Sequence, residues 1–173
     1  MPYSTNRLRA EDGSWAALLA DWQGQCDQLG EDFEQYEDSP IAVVRELAEG
    51  PIRDDAAVYS IRDEQKSCAL FQANVAFLPG YVGKVLRVRM MYLSPLYDYG
   101  ELSIDEYAQV VVALFESAVN LSYSAMPAPH VKFHLRSPTD RQYFAAIGTA
   151  INGRDIFDSV AVRGAWLYIT KKQ

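Results

Sequence analysis

Arg87 and Arg89 alternate with Val88 and Met90 in a run from Lys84 to Leu93 that reads as a strand. Both guanidinium groups therefore point to one face. Lys132 and His134 alternate in the same way inside a second strand-like run, His130 to Leu135, and extend that face if the two strands lie side by side. Unpaired buried charge is expensive, which leaves two outcomes for the arginines. Either acids such as those of residues 11 to 50 pair with them, the first expectation, or the face opens into a cleft for an anion. The histidines do not suggest a metal site, because His130 and His134 stand ~13 Å apart along a strand. Cys26 and Cys68 share no CxxC spacing, so two buried thiols are expected rather than a metal site or a disulfide.

Charge is unevenly spread. The chain has 173 residues and a net charge of −7, a balance that argues against holding nucleic acid by its phosphates without excluding a local basic cleft. Residues 11 to 50 hold eleven acids against the single base Arg45. The densest stretch, Glu31 to Asp38, reads first as a solvated face between helices. Its second reading is a docking surface for a basic protein partner or a lure for a basic substrate. The opening residues lack the charged head and apolar run of a signal peptide, and the longest apolar run, Val110 to Phe115, is far short of the ~20 residues that cross a bilayer. A soluble, cytoplasmic protein with no membrane partner is the expectation.

Well-punctuated elements must position these groups. A first helix is expected over about Asp12 to Leu29, with Trp15, Leu18, Leu19 and Trp22 at helical spacing. A second is expected from Ser39 as N-cap and Pro40 at the first helical position to a stop at Gly50-Pro51. Three strands follow, Ala56 to Ile61, Cys68 to Leu78 and Lys84 to Leu93, joined by turns short enough for an antiparallel meander. The longest helix runs from Ser103 to about Ser122. Ser103 and Glu106 form a capping box there, and the apolar residues cover most of the circumference, which predicts a buried helix. After the strand His130 to Leu135 come a helix from Ser137 that ends at Asn152-Gly153, and a hairpin of Ile156 to Val162 and Ala165 to Lys171.

This order of elements, with Thr5 to Arg9 as a first strand and a fourth strand ending Leu93-Ser94-Pro95, resembles the GNAT superfamily, which moves acyl groups from acyl-coenzyme A to amines. The resemblance covers nearly the whole chain. It implies one α+β domain over residues 1–173, with a mixed, mostly antiparallel twisted sheet of six or seven strands, helices on both faces and the acidic helical segment 11–50 packed on it. It also implies acetyl-CoA or another acyl-CoA as co-substrate, lying between the strands that end at Leu93 and Leu135, and an amine as acceptor.

The family's diphosphate loop carries Arg or Gln three residues after the proline, Gly at six, and Gly or Ala at eight. Here those positions hold Asp98, Glu101 and Ser103. Acids would meet the diphosphate with like charge, and the helix caps itself instead of presenting its amides to an anion. The family's fourth-strand carboxylate base is absent from Lys84 to Leu93. With Gly148 aligned to the family's glycine, Phe144 falls where the family places its acid tyrosine, and Tyr143 is one residue away. The resemblance thus offers Tyr143 and His134 as catalytic candidates and Arg87, Arg89, Tyr92, Leu93 and Tyr97 as donor-binding candidates. The other outcome is a non-catalytic module of the same fold that has lost coenzyme A and docks a basic partner through its acidic helices. Acceptor identity and oligomeric state are not legible.

Overall fold

The computed structural model of the chain describes residues 3–152 and 154–172. Its elements are β1 (Ser4–Arg7), α1 (Ser14–Leu29), α2 (Glu34–Tyr36), α3 (Ala42–Glu49), β2 (Ala56–Arg62), β3 (Ser67–Phe77), β4 (Lys84–Leu93), α4 (Pro95–Tyr99), α5 (Ile104–Leu121), β5 (His130–His134), α6 (Pro138–Asn152), β6 (Phe157–Arg163) and β7 (Trp166–Lys171). The strands form one seven-stranded sheet in the order β1-β2-β3-β4-β5-β7-β6. β4 and β5 run parallel, whereas β1 with β2, β5 with β7 and β6 with β7 pair antiparallel. The chain divides into two compact units, one of residues up to 72 with 90–114 and the other of residues 73–89 with 115 onward.

In the first unit, α1 presents Trp15, Leu18, Trp22 and Cys26 to a core completed by Tyr36, Ile41, Val44, Val58 and Leu70. The indoles find partners for their N–H groups, as buried tryptophans usually do. Trp22 donates to the Ser67 carbonyl (3.1 Å) and Trp15 to Glu49 Oε1 (2.9 Å). The second helix starts earlier than its punctuation suggested. Asp32 accepts from the Glu34 amide (2.9 Å) and starts α2 inside the acidic run. Residues Glu37–Ile41 then form a π-helical turn that leads into α3. Pro40 sits inside that turn rather than at a first helical position, and Ser39 caps nothing. A wider turn tolerates the amide that proline lacks. Several acids of residues 11–50 are therefore structural: Asp12 accepts from the Ser14 amide, Asp21 from the Ser67 amide, and Glu37 and Glu49 pair with Arg45.

In the second unit, register decides which side chains share a face. Leu86 aligns with Val131 and Val88 with Phe133, while Val131 opposes Ile169 and Phe133 opposes Leu167. All six are buried. Against that face pack Phe115 of α5 and Phe144 of α6, whose rings lie 5.3 Å from the Phe133 ring. Gly148 lets α6 come close, since a Cβ there would stand 3.3 Å from Leu167. Gly153, expected to end this helix, lies outside the described residues.

α5 keeps its capping box. Glu106 accepts from the Ser103 amide (2.9 Å), and the Glu106 amide donates to Ser103 Oγ (3.2 Å). The helix is not buried all round, however. Asp105, Gln109, Val112, Glu116 and Asn120 form an exposed stripe at helical spacing, because the stretch of apolar residues is interrupted at each turn. No helix among the described residues is long and apolar enough to cross a membrane.

Candidate functional site: a cationic sheet face in the second unit

The opposite face of the same strands carries charged and aromatic side chains. Arg87 is in register with Lys132, Lys132 with Tyr168, and His134 with Trp166. Arg89 lies two residues beyond Arg87 on the same face. All six side chains are half-buried. Lys132 Nζ stands 4.2 Å from the centre of the Trp166 ring and 4.8 Å from that of Tyr168, and the Arg89 guanidinium is 5.9 Å from Trp166. The His134 and Trp166 rings are 4.6 Å apart. With its side-chain amide turned to satisfy both groups, Asn74 Oδ1 accepts from Arg87 Nε (3.2 Å) and Nη2 (2.6 Å). Aromatic faces and an amide oxygen thus hold the cations, at a modest gain per cation–π contact.

The anticipated ion pairs are missing from this unit, where no described carboxylate pairs with Arg87, Arg89 or Lys132. Asp140, whose charge bears on His134, is spent on the Arg136 and Ser137 amides (3.1 and 3.0 Å). The electrostatics follow. Lost hydration, then repulsion by Arg89, lowers the pKa of Arg87, and lost hydration, then Arg87 and Arg89, lowers that of Lys132. Lost hydration also pushes His134 below its ordinary value, with Arg89, Arg136 and Lys132 adding to the effect against Asp140. The lowered pKa favours the neutral imidazole, the form able to accept a proton.

The other histidine is structural. His130 Nδ1 meets Thr170 Oγ1, and Nε2 meets the Val82 carbonyl, both at 3.0 Å.

The β4–β5 register runs from Val85 and His130 to Val88 and Phe133. Two residues further along β4, Met90 adopts φ 49°, in the left-handed region, in mid-strand. Such a kink redirects a strand.

No protein-family model matches the sequence, and no curated protein does. Solved structures match the fold. An N-acetyltransferase from Staphylococcus aureus Mu50 superposes with a TM-score of 0.54 at 8% identity, over 98% of this chain and 98% of that one. An aminoglycoside N-acetyltransferase follows at 0.46 and 13% identity, covering 98% and 97%. A GNAT family acetyltransferase of Staphylococcus aureus gives 0.43 and 14% identity, over 79% and 87%. The chain has the GNAT fold.

In the GNAT fold the stretch after β4 is where the resemblance places a coenzyme diphosphate, and here it is otherwise engaged. Residues 95–99 are helical, and α4 is tied down by Tyr36, whose hydroxyl donates to Asp98 (2.7 Å), and by Gln25, which accepts from the Leu96 amide (3.1 Å). Tyr99 packs edge-on to Tyr36, with ring centres 6.0 Å apart. Lost hydration raises the Asp98 pKa, opposed by the Tyr36 hydrogen bond. Glu106 occupies the Ser103 amide, and Asp105 adds a second acid to the first helical turn. These residues do not fit a diphosphate.

The sequence candidates divide between the units. Arg87, Arg89 and His134 come together in the cationic face. Tyr143 lies half-buried on α6, which packs on the other face of that unit's strands. Tyr92, Leu93 and Tyr97 belong to the first unit. There Tyr92 packs beside the α1 core, and the Tyr97 hydroxyl sits near the Cys68 thiol, its pKa raised chiefly by burial. Sequence reasoning passed over Asn74, Trp166 and Tyr168. The signal for the last two was present as period-2 alternation, Trp166 and Tyr168 against Leu167 and Ile169.

Proposed function

We propose that this chain transfers an acyl group to an amine, with an acyl-CoA as donor held without the usual diphosphate loop. The observation that carries this reading is the superposition on an N-acetyltransferase over nearly the full length of both chains. The parallel β4–β5 pair and the Met90 kink beside it support the reading. In this reading the neutral His134 takes the proton that the amine gives up as it forms the new bond, a role general bases fill for ~10²–10⁴ of rate. The coenzyme leaves as its thiolate and takes a proton from water, because Tyr143 lies on α6 against the other face of the strands.

The test is a titration of the purified protein with acetyl-CoA, read by melting temperature, followed by mass spectrometry of amine mixtures for a product heavier by one acetyl group. The expected result is saturable stabilisation, ~2.7 kcal/mol at 100 times the dissociation constant. In the follow-up, His134→Gln should slow product formation at least tenfold while leaving acetyl-CoA binding intact. No stabilisation at millimolar acetyl-CoA would overturn the proposal.

A further inference from the structure

The second unit holds three basic side chains, Arg87, Arg89 and Lys132, on one half-buried sheet face, with no described carboxylate of that unit paired to them. Partly burying like charges side by side is unfavourable unless an anion joins them, because repulsion grows as water leaves. The local packing maintains the crowding instead of relieving it. Trp166 and Tyr168 flank Lys132, and Trp166 also faces Arg89. Asn74 fixes the Arg87 guanidinium through Nε and Nη2. Arg87 has five N–H donors, and Asn74 accounts for two, so three remain to bind an oxyanion in the fork geometry that suits phosphate and carboxylate. The chain as a whole is acidic, so the face is not the by-product of a basic protein. It is also only a few residues wide, the scale of a small molecule. His134 belongs to the same face, two residues from Lys132 and in register with Trp166.

We propose that the acceptor is an anionic amine, whose phosphate or carboxylate group is bound by Arg87, Arg89 and Lys132 while its nitrogen faces His134. The claim about the amine rests on the acyl-transfer reading above, whereas the anion site itself is tested without it. Inorganic phosphate and succinate are titrated separately at constant ionic strength, against chloride as control. Binding is read by melting temperature and by the fluorescence of Trp166, the one half-buried tryptophan beside the fully buried Trp15 and Trp22.

At least one probe should bind saturably and change the Trp166 signal, and which one binds identifies the anionic group. The Arg87→Gln/Lys132→Gln double variant should weaken that binding at least tenfold. Lys132→Gln alone should weaken it severalfold, which guards against a double variant that fails to fold. Equal binding of the probe by wild type and variants, or binding of neither probe, would overturn the site. Loss of the acetyl-CoA shift in folded Lys132→Gln would overturn it in favour of a donor anchor. Should acetyl-CoA fail to bind wild type while phosphate binding remains variant-sensitive, the acyl-transfer reading falls and the anion site stands.

Discussion

His134 is the residue whose surroundings matter most. Partial burial and the charges of Arg89, Arg136 and Lys132 hold its pKa down, with Asp140 pulling the other way. A histidine with a lowered folded pKa binds fewer protons in the folded than in the unfolded chain. Stability should therefore fall as pH drops through the unfolded value of about 6.5 and level off below the folded value. We expect wild type to lose stability relative to His134→Gln between pH 7 and pH 5, measured by urea denaturation at several pH values. Parallel curves would mean that the imidazole is not held neutral. At the same scale, Asp98 explains why a residue expected only to repel an anion has a structural task, since it receives the Tyr36 hydroxyl and anchors the turn that replaces the loop.

At the scale of elements, β4 is the strand that sets the site. Arg87 and Arg89 precede the Met90 kink, and Tyr92 beyond it packs beside the α1 core. A non-glycine residue at φ 49° costs about 1–3 kcal/mol, and more for a β-branched side chain, whose two Cβ substituents crowd the backbone there. Met90→Ile, close in volume, should destabilise the protein by about 1–2 kcal/mol, and Met90→Leu by less, both read from denaturation midpoints at unchanged slope. Equal effects would point to side-chain packing as the cause. Elements also show how far local signals reach. The capping box of α5, the bounds of β4 and the closing hairpin were legible because each rests on contacts within a few residues. The start of the second helix was not, since Asp32 holds a turn at the Glu34 amide well ahead of Ser39, and a π turn removed the penalty expected at Pro40.

For the whole molecule, both cysteines are buried and unpaired. Burial, the leading cause for each, raises the pKa of both thiols, and nearby acids add to the shift at Cys26. The thiolate is the reactive form, so neither should react with a thiol reagent in the native protein. Labelling of both at the rate of global unfolding, accelerated together by denaturant, is the expected result of timed alkylation and mass spectrometry. Fast labelling of one in native buffer would show that its surroundings open locally.

The sequence alone determined the order of the strands and long helices, the departure from a diphosphate loop and the alternation that puts Arg87 with Arg89 and Lys132 with His134. These follow from periodicity, caps and turn residues, which act over short stretches of chain. Only the tertiary structure decided that Arg87 and Lys132 are lateral neighbours, that Trp166, Tyr168 and Asn74 rather than carboxylates of that unit meet the cations, and that Asp98 receives Tyr36. Strand register and pairing between distant residues depend on how long segments pack, and no local spacing encodes that choice.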